Sequence, residues 1–169
     1  RINISLDFKE LIDDEYKKKL INLIKKDSFL VLGHPFLHSY KFEQKLQNEI
    51  NIYIKIFKLI KSKYNNINII YKPHPKTPVV VNNLIIKKFP ENVVFVSKDI
   101  LSDFLIINKK SLYLGSFLSS SLIYAHILNK NIKTLFLNIE NLGVKEFDAQ
   151  IDNMKIICSQ NNIETFNIN

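Results

Sequence analysis

Short unbroken apolar runs alternate along this chain with longer stretches in which apolar residues recur every three or four positions. The first run, Phe29-Leu30-Val31-Leu32, is stopped by Gly33-His34-Pro35 and predicts a buried strand. From about Lys41 to Tyr64, the residues Leu46, Ile50, Tyr53, Ile54, Phe57, Leu59 and Ile60 keep helical spacing and predict the longest helix. Asn65-Asn66 breaks it, and Ile67 to Tyr71 predicts a second strand that ends at a His-Pro turn. A loop or short helix follows, then Val93 to Val96 as a third strand and Ile100 to Ile107 as a short helix. Ser111 to Leu114 reads as a fourth strand, Ser120 to Leu128 as a helix, and Thr134 to Leu137 as a fifth strand. Ahead of all of them, Phe8, Leu11, Ile12, Leu20, Leu23 and Ile24 form an imperfect helical stripe over residues 8–26.

Strand and helix alternate throughout, and purely apolar strands suit a sheet covered on both faces. The expected fold is therefore α/β, a Rossmann-like parallel sheet with helices on both faces. In such sheets ligands collect beyond the carboxyl ends of the strands. His34, His74 and Ser116 each follow a strand end closely, and Ser97 to Asp99 follow the third. Four strand ends with polar residues on one edge mark where a site belongs and leave its chemistry open.

Composition narrows the picture. The 169 residues suit one domain with a real core. The chain opens on Arg1 with no charged-then-apolar signal layout, so it is expected to be the carboxyl-terminal part of something longer. No apolar stretch reaches the ~18 residues that span a bilayer, and a soluble domain is expected. Cys158, alone of its kind, rules out an internal disulfide and a cysteine-rich zinc site; a buried spectator thiol is the simpler reading. The net charge of +8 favours an anionic partner, among which a nucleotide, an acidic glycan, a lipid headgroup and nucleic acid are all open. Heavy use of Ile, Asn and Lys points to an AT-rich coding genome, so Lys17-Lys18-Lys19 and Lys87-Lys88 read as solvated faces.

The candidate chemistry lies in two segments. In Tyr71-Lys72-Pro73-His74-Pro75, two prolines fix the backbone around one imidazole and aim it. A free imidazole titrates near ~6.5 and can hydrogen-bond or protonate a phosphate, whereas a plain turn histidine does neither. Lys72 and Lys76 add charge beside it. In Leu114-Gly115-Ser116, then Ser119-Ser120-Ser121, the serines precede Leu122, Ile123 and Ala125 and so occupy the N-cap and first turn of a helix. One serine suffices for a cap; three give the donor-rich surface that a phosphate at a helix N-terminus prefers. Neither the dinucleotide glycine fingerprint nor a P-loop is present. Asp99 either accepts hydrogen bonds from a ribose diol or caps the helix beginning at Ile100. His34 and His38 flank the first strand's exit without metal-cage spacing, and the Gly-x-Ser-x-Gly nucleophile pattern is missing.

These two motifs, Tyr71 to Lys76 and Leu114 to Leu122, resemble the His-Pro and Ser-Ser motifs of bacterial sialyltransferases. The families concerned are glycosyltransferase family 52 and the related polysialyltransferase-like proteins. The resemblance covers roughly residues 29–140 and implies the carboxyl-terminal, donor-binding half of a GT-B enzyme, residues 29–169, preceded by a linker or interdomain helical segment at 1–28. It implies CMP-sialic acid as donor substrate with no further cofactor and no metal, in an inverting transfer to a bacterial cell-surface glycan, lipooligosaccharide or capsule. It makes His74 the catalytic group that assists departure of CMP. Ser120 and Ser121 would hold the phosphate, with Ser119 able to replace one of them, and Lys72, Asp99 and Gly115 complete the donor site. Related enzymes use an acid as base after the first donor-domain strand, where this chain has Gly33-His34-Pro35 and no acid until Glu43. Glu43, His38 or a residue outside the chain are then the candidates.

Teichoic-acid glycerophosphotransferases, which use CDP-glycerol, and CMP-Kdo transferases resemble the same pattern, so cytidine recognition is the expectation the three share. A nucleotide-sugar donor and a glycan acceptor are the expected partners, with room for peripheral membrane attachment and a homodimer. The expected location is the bacterial cytoplasm, at the inner face of its membrane. A basic anion-binding α/β module without chemistry is the non-enzyme alternative. Against a nucleic-acid partner, Tyr53, Phe57, Phe95 and Tyr113 lie in apolar runs and read as core, not as a base-stacking platform.

Overall fold

The computed structural model describes residues 27–34, 43–88, 93–97, 106, 112–139 and 145–168, with side chains from 47 in the first helix and from 147 in the last. Among the described residues, six strands and four helices follow in the order β1 (Ser28–Leu32), α1 (Glu43–Lys63), β2 (Asn68–Lys72), α2 (Val79–Lys88), β3 (Val93–Phe95), β4 (Leu112–Ser116), α3 (Ser120–Leu128), β5 (Ile132–Asn138), α4 (Lys145–Gln160) and β6 (Glu164–Asn167). The strands form one sheet in the order β3-β2-β1-β4-β5-β6, with every neighbouring pair parallel. The expected α/β, Rossmann-like architecture is the one observed.

The order places β1 at the centre, with β2 in register on one side (Leu32 opposite Lys72) and β4 on the other (Val31 opposite Gly115). Chain connections run outward from β1 through β2 to β3, then return to β4 and run outward the other way. The crevice beyond the carboxyl ends of β1 and β4 is thus the switch point, where an open sheet of this kind takes its ligand.

The helix over 43–63 forms because its apolar positions share one face. Ile50, Tyr53, Ile56, Phe57 and Ile60 are all buried, each at most 2% exposed, and Lys61 and Lys63 in the last turn suit the negative end of the dipole. Asn66 stops the chain in a left-handed conformation, φ 63°, that asparagine tolerates better than most residues. Tyr53 and Phe57 meet Tyr71 of β2 at ring-centroid distances of 4.9 and 5.8 Å. Nearer the strands' amino ends, Phe29 stacks on Tyr113 at 5.9 Å while Tyr64 and Phe166 close on it at 5.8 and 6.3 Å. Phe95 and Tyr113 are partly buried against the core, in keeping with their apolar runs.

The structure decides one element the sequence left open and adds two. The loop or short helix after the His-Pro turn is a ten-residue helix, α2. Two further elements, α4 and β6, follow the fifth strand. Their signal was present, since Phe147, Ile151, Met154 and Cys158 recur at three- and four-residue spacing and are buried; intervening polar residues such as Asp148, Gln150, Asp152 and Asn153 dilute it. The stripe over 8–26, Lys17 to Lys19, and the short helix at 100–107 apart from Ile106 lie outside the described residues.

Cys158 is fully buried, and burial pushes its thiol up to about 11. At pH 8 it is therefore almost wholly protonated, and the nucleophilic thiolate is scarce as well as shielded. The native protein is expected to react with a thiol reagent such as DTNB at least ~100-fold more slowly than the chain in denaturant. A fast native reaction, monitored by absorbance, would contradict this packing.

Candidate functional site

The His-Pro turn begins where β2 ends. Pro73 is buried and His74 half-buried, and Thr77 N–H donates to the His74 carbonyl at 2.9 Å, closing a tight four-residue turn around Pro75 and Lys76. Within it, Lys76 N–H donates to His74 Nδ1 at 3.1 Å. A ring nitrogen that accepts a hydrogen bond carries no proton, so the neutral imidazole holds its hydrogen on Nε2. The turn thereby sets the tautomer as well as the position of the ring.

Lys72, expected to reach the donor, is only 5% exposed, and its Nζ donates to the Pro73 carbonyl at 3.2 Å. Its ammonium lies against the backbone that leads into His74 and braces the turn. Lys76 is exposed.

Beyond β4, Phe117 is fully buried and Ser119 is the N-cap of α3, in extended conformation at φ −103°, ψ 125°. Ser119 Oγ accepts from Ser121 N–H at 3.3 Å, and its carbonyl accepts from Leu122 N–H at 3.0 Å. The register of the triple serine is thus resolved: Ser119 caps, and Ser120 and Ser121 fill the first two helical positions. With the Ser121 and Leu122 N–H groups so engaged, the Ser120 N–H and the positive end of the dipole remain at the helix end to favour an anion. Gly115 is a strand residue; a Cβ there would come within 2.7 Å of Phe29 Cε1 and 3.0 Å of Leu137 Cδ2. Ser116 is fully buried, and its Oγ has no hydrogen-bond partner among the described residues.

All these groups emerge from one edge of the sheet. β2 and β4 flank β1, so at a strand spacing of about 4.8 Å their exits lie about 10 Å apart. Between them runs Gly33-His34. Gly33 N–H donates to the Lys72 carbonyl at 2.7 Å, extending the β1–β2 ladder to the turn. The His34 ring stands 6.2 Å from the His74 ring, centroid to centroid, at 65°.

Tyr53 of α1 holds His34 in place. Its Oη accepts from His34 N–H at 2.7 Å and donates to the His34 carbonyl at 3.0 Å. Burial, reinforced by Tyr71 and Glu49, holds the Tyr53 hydroxyl well above the usual tyrosine range, so it stays a donor at any physiological pH. Tyr71 shares a hydrogen bond with Tyr53 and is likewise raised by burial. Phe147, in the first turn of α4, meets the His34 ring edge-on, at 6.0 Å and 85°. Sequence reasoning missed the Tyr53 clamp and the Phe147 contact, which join residues far apart in the chain.

Of the other expected site residues, Asp99 and His38 lie outside the described residues, as does the side chain of Glu43 at the start of α1. Ser97 is exposed after β3, where Val96 N–H donates to the Tyr71 carbonyl at 3.0 Å. Among the described residues, no three of His, Cys, Asp or Glu cluster as a metal site. A separate open cavity of about 350 Å³, lined by His126, Asn131, Thr134 and Asn162 among others, lies at the amino ends of β5 and β6, on the opposite edge. There His126 Nδ1 is 2.8 Å from Thr134 Oγ1.

Residues 7–138, well over half of the chain, match the alpha-2,8-polysialyltransferase family. No curated protein matches the chain by sequence. The match spans β1 to β5, including both the His-Pro turn and the serine-capped helix, and with the parallel sheet it makes the chain a glycosyltransferase of the sialyltransferase type, a member of the alpha-2,8-polysialyltransferase family.

Proposed function

We propose that residues 29–169 are the donor-binding half of a GT-B enzyme, with 1–28 as a linker or interdomain segment, and that the site at the carboxyl edge of the sheet takes CMP-sialic acid. The observation that carries this reading is the fixed tautomer of His74, which offers an Nε2–H donor beside the switch point, with the serine-capped end of α3 across it.

Transfer breaks the bond between the sugar's anomeric carbon and the CMP phosphate oxygen and forms one to the acceptor oxygen. Inversion follows from attack opposite the departing phosphate. The transition state is oxocarbenium-like, and negative charge grows on the phosphate as CMP leaves. His74 donates to that oxygen, and the start of α3, through the Ser120 N–H and the Ser120 and Ser121 hydroxyls, holds the others; neither contribution requires a metal. The family's α-2,8 linkage points to the 8-hydroxyl of a terminal sialic acid as nucleophile, on a lipooligosaccharide or capsular glycan. Its proton goes to a base, for which Glu43, His38 and groups outside this chain are the candidates, while Asp99 serves the ribose. Work at the inner face of the cytoplasmic membrane is supported by the net charge of +8 and by the exposed Tyr124, Ile127 and Leu128 of α3. Among the described residues no helix is long and apolar enough to cross a membrane.

Calorimetric titration of CMP, UMP and AMP at moderate salt tests the reading. CMP is expected to bind at least ~10-fold more tightly than the other two, since a site built to hydrogen-bond one base rejects the rest. Equal, salt-suppressed binding of all three would leave a basic anion-binding module. Release of CMP from CMP-sialic acid, in preference to turnover of CDP-glycerol or CMP-Kdo, then fixes the transferred group.

A further inference from the structure

We propose that His34 and His74 work as a pair, two imidazoles closing on one anionic group of the donor, so that His34 is a second donor-contacting residue. The proposal deepens the cytidine-donor reading and rests on it.

Four observations converge on His34. It leaves the central strand β1 directly, beside the switch point. Its ring stands 6.2 Å from that of His74 and nearly edge-on to it, at 65°. With N–H···O contacts of about 2.9 Å from each ring, imidazoles at this spacing can donate to a single phosphate or carboxylate set between them. Its backbone is held on both polar groups by Tyr53 Oη, at 2.7 and 3.0 Å.

The fourth observation is Phe147, 6.0 Å away and itself buried, which restricts where the His34 ring can turn. Phe147 belongs to the first turn of a sixteen-residue helix, so the positive end of α4 also lies near the pair. A second tyrosine, Tyr71, lies beneath, its Oη 2.7 Å from where a Gly33 side chain would begin. A residue whose only task was to end a strand would not need this support, and a preorganised ring loses little freedom when it takes a ligand. An anion is the fitting guest because two adjacent N–H donors are brought together by a shared acceptor.

Phosphate and sugar carboxylate of a sialyl donor share this chemistry, and the test separates them. The four histidines give few imidazole signals, and His126, bonded to Thr134 on the opposite edge, serves as internal control. The full chain, labelled with ¹⁵N at the imidazoles, is titrated with CMP, cytidine and free sialic acid. Movement of the His34 and His74 signals together with CMP but not cytidine supports a phosphate clamp; movement of both with sialic acid alone assigns the carboxylate.

His34→Gln is expected to weaken CMP binding by about 10- to 100-fold, as loss of a hydrogen bond to a charged group should, and to leave cytidine binding unchanged. A merely structural role for His34 would weaken both ligands alike. If CMP binds and moves His74 while His34 stays still, the pairing is overturned and the donor reading stands. If the unaltered chain binds no CMP, both are overturned together.

Discussion

His74→Ala is expected to slow release of CMP from CMP-sialic acid in the presence of acceptor by about a hundredfold to a thousandfold, the usual loss when one donor to a developing negative charge is removed. The size of the loss follows from how completely the turn commits this ring. Pro73 and Pro75 fix the backbone on either side, and with the Lys76 N–H on Nδ1 it is Nε2 that carries the proton for a hydrogen bond to the leaving group. Because the charge on the phosphate grows as the bond breaks, the loss should fall mainly on kcat, with a smaller change in KM. His74→Gln retains an N–H donor but cannot release a proton. It separates hydrogen bonding from proton transfer: a neutral ring that only donates a hydrogen bond predicts substantial recovery with Gln, and no recovery would require a ring protonated on both nitrogens. A His74→Ala enzyme with kcat within threefold of the parent would remove His74 from the mechanism.

Much of this site was legible because its causes are local. Two prolines restrict the backbone around His74 whatever the surrounding fold, and a serine ahead of Leu122 and Ala125 caps a helix by bonding two residues along its own chain. The apolar runs of β1, β2, β4 and β5 announced strands buried on both faces, and their alternation with helices implied the parallel sheet. Long-range pairing is another matter. Nothing near Tyr53 in the sequence says that its hydroxyl reaches His34, and Phe147 lies in a helix whose apolar stripe is interrupted by acids and amides. Lys72 shows the limit of residue type: a lysine beside a histidine suggests an anion contact, yet its four-carbon stem folds back so that the ammonium meets the Pro73 carbonyl. Gly115 likewise invites a ligand when read in sequence, while in the sheet its missing side chain is the space that the Phe29 ring and Leu137 fill.

Gly33→Ala is expected to cost about 1–3 kcal/mol of stability, as overpacking in a well-filled interior does, and to cut transfer by roughly a hundredfold, the penalty of a displacement near 1 Å at a catalytic group. The substituted carbon would lie 2.7 Å from Tyr71 Oη, 3.0 Å from Pro73 Cα and 3.1 Å from His74 N. Two of these three atoms are the backbone of the His-Pro turn itself, and the third belongs to a fully buried tyrosine bonded to Tyr53. A side chain tip could swing away; a backbone that ends β2 and is held by the Gly33 N–H to Lys72 carbonyl bond at 2.7 Å must move as a unit. Relief therefore comes either by pushing the turn, and His74 with it, away from β1 or by pushing Tyr71 into Tyr53 and so disturbing His34. Either route reaches an imidazole, which is why a single methyl group should act on catalysis as well as on folding. Thermal denaturation and the His74 imidazole signal measured on the same sample separate the effects. A variant that melts a few degrees lower, with His74 displaced and kcat reduced, supports the coupling of strand exit to catalytic ring. One that melts lower with kcat intact would show that the turn absorbs the methyl group without moving His74.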